Sequence, residues 1–240
     1  MKKKLEEGLN KLIRALEIYL SCFVEKLHIN KQISEIKDID YVISFNYTHT
    51  FSAVYKENIS CVIDYIHGEA KRENTIEKDN MVLGIDEYLL DNRKDKDIEF
   101  IAFKKFYQRI YKGTGCEYKN WIYQINERCK EQELELRKEY PIQIPFEKFA
   151  DDAKHHLYIF GHSLNVSDKD ILRELILNDN VYTTIYYHKT YDANGKDDNG
   201  KKDLGSKIAN LVKVIGQNEL IRRTGGSTKT IELKLVEGYL

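Results

Sequence analysis

Asn46, His67 and Ser163 are the side chains whose neighbours best equip them for chemistry. Asn46 follows the apolar run Tyr41-Val42-Ile43-Ser44-Phe45 and opens Asn46-Tyr47-Thr48. Its amide offers both a donor and an acceptor, which suits a ribose hydroxyl or an oriented water. An Asx turn capping the next helix is the structural alternative. His67 follows Cys61-Val62-Ile63-Asp64-Tyr65-Ile66 and precedes Gly68. An imidazole there can take a proton near neutral pH, and a glycine beside it lets backbone approach a ligand closely. The alternative is a strand-end histidine satisfied by a main-chain carbonyl. Gly161-His162-Ser163 follows Leu157-Tyr158-Ile159-Phe160 and precedes Asn165 and Asp168. Glycine directly after a strand, with a hydroxyl two residues on, suits a phosphate or ribose near a helix start. Ser163 is expected to face ligand and Asp168 to cap the helix that follows.

Other patterns carry less. Gly113-Thr114-Gly115 follows a helical stretch, so it is no strand-to-helix dinucleotide loop, and Gly225-Gly226-Ser227-Thr228-Lys229-Thr230 lacks Walker A spacing. Asp192, Asn194, Asp197 and Asp198 miss the calcium-loop register. Lys104, Lys105, Arg109 and Lys112 form a basic helical stripe, read as a solvated face. The four cysteines, at 22, 61, 116 and 129, contain no C-x-x-C pair. A metal-dependent phosphoesterase or nuclease built on His49, His67, His162 and Asp168 would lack a recognised ligand spacing, so no metal is expected.

These residues need a scaffold, and the hydrophobic pattern supplies one. Leu5, Leu9, Leu12, Ile13, Leu16, Leu20, Phe23, Val24 and Leu27 recur at helical steps and predict a helix over about 3–27. Strands are predicted at 41–45, 61–66, 81–84, 157–160 and 182–187, with a sixth at 231–236 whose alternation suggests a sheet edge. A short helix should cover 51–55. Ile171, Leu172, Leu175 and Ile176 predict another, as do Ile208, Leu211, Val212 and Ile215. Between the third and fourth strands, Ile98, Ile101, Ala102, Phe106 and Ile110 make one amphipathic face, and Trp121, Ile122 and Ile125 begin a charged helix that Pro141 and Pro145 close. Asp192 to Lys202 reads as a polar loop. Short apolar strands alternating with helices imply an α/β fold, a Rossmann-like, mainly parallel sheet flanked by helices. One domain over residues 1–240 is expected, with a helical insertion at about 92–148. In such sheets the ligand crevice lies outside the carboxyl ends of the strands, where these three polar motifs fall together with a fourth, Ile85-Asp86-Glu87-Tyr88, after the third predicted strand.

Composition narrows the partners. Lys plus Arg (38) against Asp plus Glu (39) leaves a formal net charge of −1, so neither nucleic acid nor an anionic membrane surface is expected as partner. No apolar run approaches the roughly 18 residues of a membrane span. Glu6, Glu7 and Lys11 interrupt any signal-peptide core after Met1-Lys2-Lys3-Lys4, and a cytoplasmic location with reduced thiols follows as an expectation.

The ordered series Phe45-Asn46-Tyr47-Thr48, Ile66-His67-Gly68, Val82-Leu83-Gly84 with Tyr88, Gly161-His162-Ser163-Leu164 with Asp168, and Tyr186-Tyr187-His188 resembles the bacteriophage abortive-infection AbiH family over about residues 5–220. More distantly it is similar to sirtuin-like NAD-consuming domains of bacterial antiviral systems. The resemblance implies an anti-phage protein with a nucleotide site that hydrolyses NAD+ at the nicotinamide–ribose bond. Asn46 would orient ribose and water, His67 would be the general base, and Tyr47, Thr48, Gly68, Gly161, His162, Ser163 and Asp168 would line the cofactor. That bond breaks through an oxocarbenium-like state, as in glycoside hydrolysis. Two departures are visible. Thr48 stands where sirtuin-like enzymes place an acidic residue. The glycine-rich G-N-G-F-D segment with which AbiH proteins usually open does not occur, and a chain shortened at its N-terminus is expected. The alternative function is a catalytically inactive nucleotide-sensing or protein-interaction module. Expected partners are a small nucleotide, a phage-derived trigger or a second copy of the chain.

Overall fold

The computed structural model describes residues 2–27, 33, 36, 39–55, 60–85, 100–139, 155–191, 195 and 198–236. The chain divides into two compact units, one over residues 1–119 and one over 120–238. Both are α/β, with parallel strands and flanking helices.

The first unit opens with α1 (Lys2–Cys22), then a 3-10 turn (Val24–Lys26) where one continuous helix to Leu27 was expected. Strand β1 (Tyr41–Ser44) leads through α2 (Thr50–Val54) to β2 (Val62–Tyr65), and the two strands pair in parallel with Ser44 opposite Tyr65. Ile13 of α1 packs with Ala70 and Met81, flanked by Leu9, Leu16, Leu20, Tyr47 and Leu83. Burying an isoleucine of this kind stabilises a fold by roughly 2 kcal/mol. One turn on, Glu17 is fully buried and satisfied: it accepts from the Lys71 amide at 3.0 Å, Asn74 Nδ2 at 2.5 Å and Arg14 Nη1 at 2.5 Å. A carboxylate thus staples α1 to the segment after β2.

Three expectations fail here for one reason. Residues 81–84 form no strand. The Val82 amide donates to the His67 carbonyl at 2.7 Å, and the Gln108 side chain both accepts from the Leu83 amide (3.0 Å) and donates to the Leu83 carbonyl (3.1 Å). Gln108 lies on α3 (Lys105–Lys112), preceded by a 3-10 turn (Ile101–Phe103). It is the buried side chain of α3, while Phe106 and Ile110, expected to face inward, are exposed, Ile110 at 74%. The supposedly solvated basic stripe turns inward instead. Lys104 is buried, Lys112 Nζ donates to Asp79 Oδ2 (3.0 Å) and the Met81 carbonyl (2.5 Å), and Arg109 Nη2 donates to the Gly115 carbonyl at 2.8 Å. Unpaired main-chain groups at 81–84 and 115 need polar partners, and that need outweighs the apolar periodicity of the helix. Ile98 lies outside the described residues.

Helix α4 (Tyr118–Glu139) runs across the division between units. Its start is capped from β2, Asp64 Oδ2 accepting from the Tyr118 amide at 3.0 Å. Burial pushes the Asp64 carboxyl up in pKa, against the lowering effect of that amide. Pro141 and Pro145 lie outside the described residues.

In the second unit β3 (His155–Ile159), α5 (Lys169–Ile176), β4 (Val181–Tyr187), α6 (Lys201–Ile215), α7 (Gln217–Thr224) and β5 (Ile231–Leu235) follow in order. The strands lie β3-β4-β5, all parallel, so among the described residues β5 stands at the edge its alternation suggested. Central β4 is buried along nearly its whole length, as a parallel strand covered on both faces requires. Ile171, Ile176, Ile185, Leu211 and Ile231 are its fully enclosed core. The buried Arg223 of α7 ties the unit together through the Leu177 carbonyl, Asp179 and Thr230. Lys201 and Lys202 begin α6 rather than ending a loop. The buried stripe of α6 is Lys207, Leu211, Val214 and Ile215, one step round from the expected one, leaving Ile208 and Val212 partly exposed.

Candidate functional site

Asn46, Tyr47, Thr48, His67 and Gly68 stand on the first unit; Gly161, His162, Ser163 and Asp168 stand on the second. Each group sits just beyond the carboxyl end of a parallel strand.

On the first unit most of these side chains are already committed. The Asn46 backbone is held by Ser44, whose hydroxyl donates to the Asn46 carbonyl (3.1 Å) and accepts from its amide (3.3 Å); its side chain is exposed. The Tyr47 hydroxyl donates to the Val82 carbonyl at 2.8 Å and its ring joins the Ile13 core. Thr48 is buried, its hydroxyl 2.8 Å from that of Thr50. His67 is only 7% exposed, its ring edge-on to Phe45 at 5.9 Å and tilted against Tyr47 at 6.2 Å. Gly68 has φ +77°, and a Cβ there would stand 2.2 Å from the Asn80 carbonyl oxygen. The close approach this glycine permits is therefore to the chain itself.

Beside them lies a cluster whose carboxylates the sequence did not single out. His49 bridges two carboxylates, with Nδ1 2.5 Å from Glu25 Oε1 and Nε2 3.0 Å from Glu69 Oε2. Glu69 also pairs with Lys71, and the Tyr65 ring meets the imidazole edge-on at 5.4 Å. Burial pulls the His49 pKa down, but the hydrogen bonds to Glu69 and Glu25 outweigh it and hold the ring above its ordinary value. Burial likewise raises Glu69, and Lys71 and His49 together bring it below its usual range. A doubly paired imidazolium is an electrostatic latch, since neither nitrogen is left to accept a proton.

On the second unit the loop after β3 is open. Gly161 has φ +68°, with nothing within 4 Å of where a Cβ would stand, and Ser163 is exposed. His162 Nδ1 accepts from the Leu164 amide at 2.9 Å, which places the neutral ring's proton on Nε2, 3.7 Å from Asp168 Oδ2. Asp168 occupies the position before α5 without capping it, contrary to expectation; its Oδ2 accepts from the Ser167 hydroxyl at 3.1 Å. Asn165 performs the cap one turn earlier, accepting from the Ser167 amide at 3.1 Å. Phe160 stands edge-on to His188 at 5.3 Å. Burial lowers the His188 pKa, Asp203 opposes and Lys207 adds to the fall.

The family model for bacteriophage abortive infection AbiH matches residues 1–188. The chain belongs to this family. No curated protein and no solved structure matches it. The AbiH span runs from α1 to the residue after β4 and carries every strand-end motif named above. Membership implies a part in abortive-infection defence against bacteriophage. Among the described residues no helix is long and apolar enough to cross a membrane, and no group of three or more His, Cys, Asp or Glu side chains could hold a metal ion.

Sequence reasoning missed Lys207 and Asn210, which lie beyond the AbiH span and hold the loop after β3 from behind. One signal was available: Lys207 interrupts the helical stripe Leu204, Leu211 and Val214, where an apolar residue would be expected.

Proposed function

We propose that this AbiH protein serves phage defence by binding a nucleotide at the carboxyl ends of the strands of its second unit, with Gly161, His162 and Ser163 as the recognition edge. The observation that carries this reading is the exposed Ser163 on a left-handed glycine turn directly after β3, the place where ligands of parallel α/β sheets bind. NAD+ is the nucleotide to test first. An open backbone at Gly161 and the partly exposed Phe160 ring suit a phosphate and a base. A separate hydrolytic reading confined to the first unit, with Asn46 holding ribose and His67 taking the proton, draws support from the exposed Asn46 amide. The enclosure of His67 between Phe45 and Tyr47 favours a sensor over a hydrolase.

Incubation of the purified chain with NAD+ tests both. The sensor reading expects a raised melting temperature and no nicotinamide release. Release that disappears in His67→Ala would establish the hydrolase. No thermal shift with millimolar NAD+ or AMP would remove the nucleotide reading altogether.

A further inference from the structure

Resting on that reading, we propose that Lys207 is a positioning residue: by gripping the His162 carbonyl it turns the Ser163 amide outward beside the Ser163 hydroxyl, making paired donors for one phosphate of the nucleotide. Lys207 is 4% exposed, and its Nζ donates to the His162 carbonyl at 2.9 Å. Its charge is balanced by Asp203, whose Oδ1 stands 3.8 Å away and whose Oδ2 accepts from the His188 amide at 2.9 Å. One turn along α6, Asn210 Nδ2 donates to the Ser163 carbonyl at 2.8 Å. The Leu164 amide is taken by His162 Nδ1. Two successive carbonyls of the loop are therefore bound by α6.

A trans peptide points its N–H opposite its C=O. The peptide joining His162 to Ser163 has its oxygen on Lys207, so the Ser163 amide faces away from α6. Ser163 is exposed, and neither its amide nor its hydroxyl has a hydrogen-bond partner among the described residues. Two adjacent donors on one rigid residue match the non-bridging oxygens of a phosphate, which accept stronger bonds than neutral acceptors do. A methionine would fill the buried stripe of α6 without the desolvation a lysine suffers, so the contribution of Lys207 lies in the carbonyl it holds.

The test is a pair of titrations of the full chain, with inorganic phosphate and with AMP, followed through the backbone amide resonances. The Ser163 amide should move saturably with both probes. Lys207→Met, with an unchanged near-ultraviolet circular dichroism spectrum, should weaken both about tenfold or more, and Lys207→Arg should restore affinity to within about threefold. A folded Lys207→Met that binds like wild type overturns the role of Lys207, as does saturation by AMP with the Ser163 amide unmoved; either leaves the nucleotide reading standing. If neither probe moves any wild-type resonance, both fall together. Should Lys207→Met not fold, Asn210→Leu decides: a several-fold loss for phosphate supports the pinned loop, and unchanged affinity overturns it.

Discussion

The two strand-end rims of this protein are built from similar residue types and spend them differently. After β1 and β2, the Tyr47 hydroxyl, the His67 carbonyl and the space above Gly68 are all used by residues 80–82. After β3, the polar groups that hold the loop come from behind it, on α6, and Ser163 is left facing solvent. A polar residue at a strand end is thus a statement about a demand for hydrogen bonds. Whether a neighbouring segment or a ligand meets that demand depends on what else packs there.

The sharpest way to break this contrast is to place the same side chain on both glycines. Gly68→Ala drives a Cβ into the Asn80 carbonyl and should cost about 4 kcal/mol in urea unfolding. Gly161→Ala meets no atom and should cost only the left-handed backbone penalty, about 1 kcal/mol. Similar losses at the two positions would erase the distinction. Glu17→Ala should rank next after Gly68→Ala, at about 3 kcal/mol, because it leaves the Lys71 amide and Asn74 without their acceptor. A loss below 1 kcal/mol, read by the same unfolding curves, would show that the α1 staple is dispensable.

The His49 latch predicts a pH dependence confined to the first rim. His49 is raised above 6.5, so its contribution is complete below that pH and fades as pH rises through the folded value. Glu69 is lowered below 4.5, so its contribution is complete above that pH and fades as pH falls. The latch is therefore tightest between these limits. Melting temperatures of wild type and His49→Gln should differ most near pH 5.5 and converge by pH 9. The gap should stay small, under about 1 kcal/mol, because the imidazole is 40% exposed. A gap that widens towards pH 9 would reverse the assignment. The smallest effect belongs to Asn46→Ala, expected within about 0.5 kcal/mol of wild type at this exposed position. Any change in nucleotide binding or turnover in that variant then reads function and not folding.

Strand positions were legible at 41–44, 62–65 and 181–187, where β-branched and aromatic residues dominate and where Asp64, Thr183 and Thr184 interrupt the apolar run without breaking the strand. Met81-Val82-Leu83 is wholly apolar and is no strand. Its amides found Gln108 and His67, and nothing in the local pattern announces a glutamine twenty-five residues away. The inverted face of α3 has the same origin. On α6 the buried stripe is turned by one step because a charged residue, Lys207, occupies it.

Hydrophobic period and residue order along the chain suffice for the α/β class, the family and the polar motifs after β1, β2 and β3. Which of those motifs remain open is settled by long-range packing. That choice depends on main-chain groups brought together from distant segments, and each buried one must be satisfied by whatever side chain arrives there.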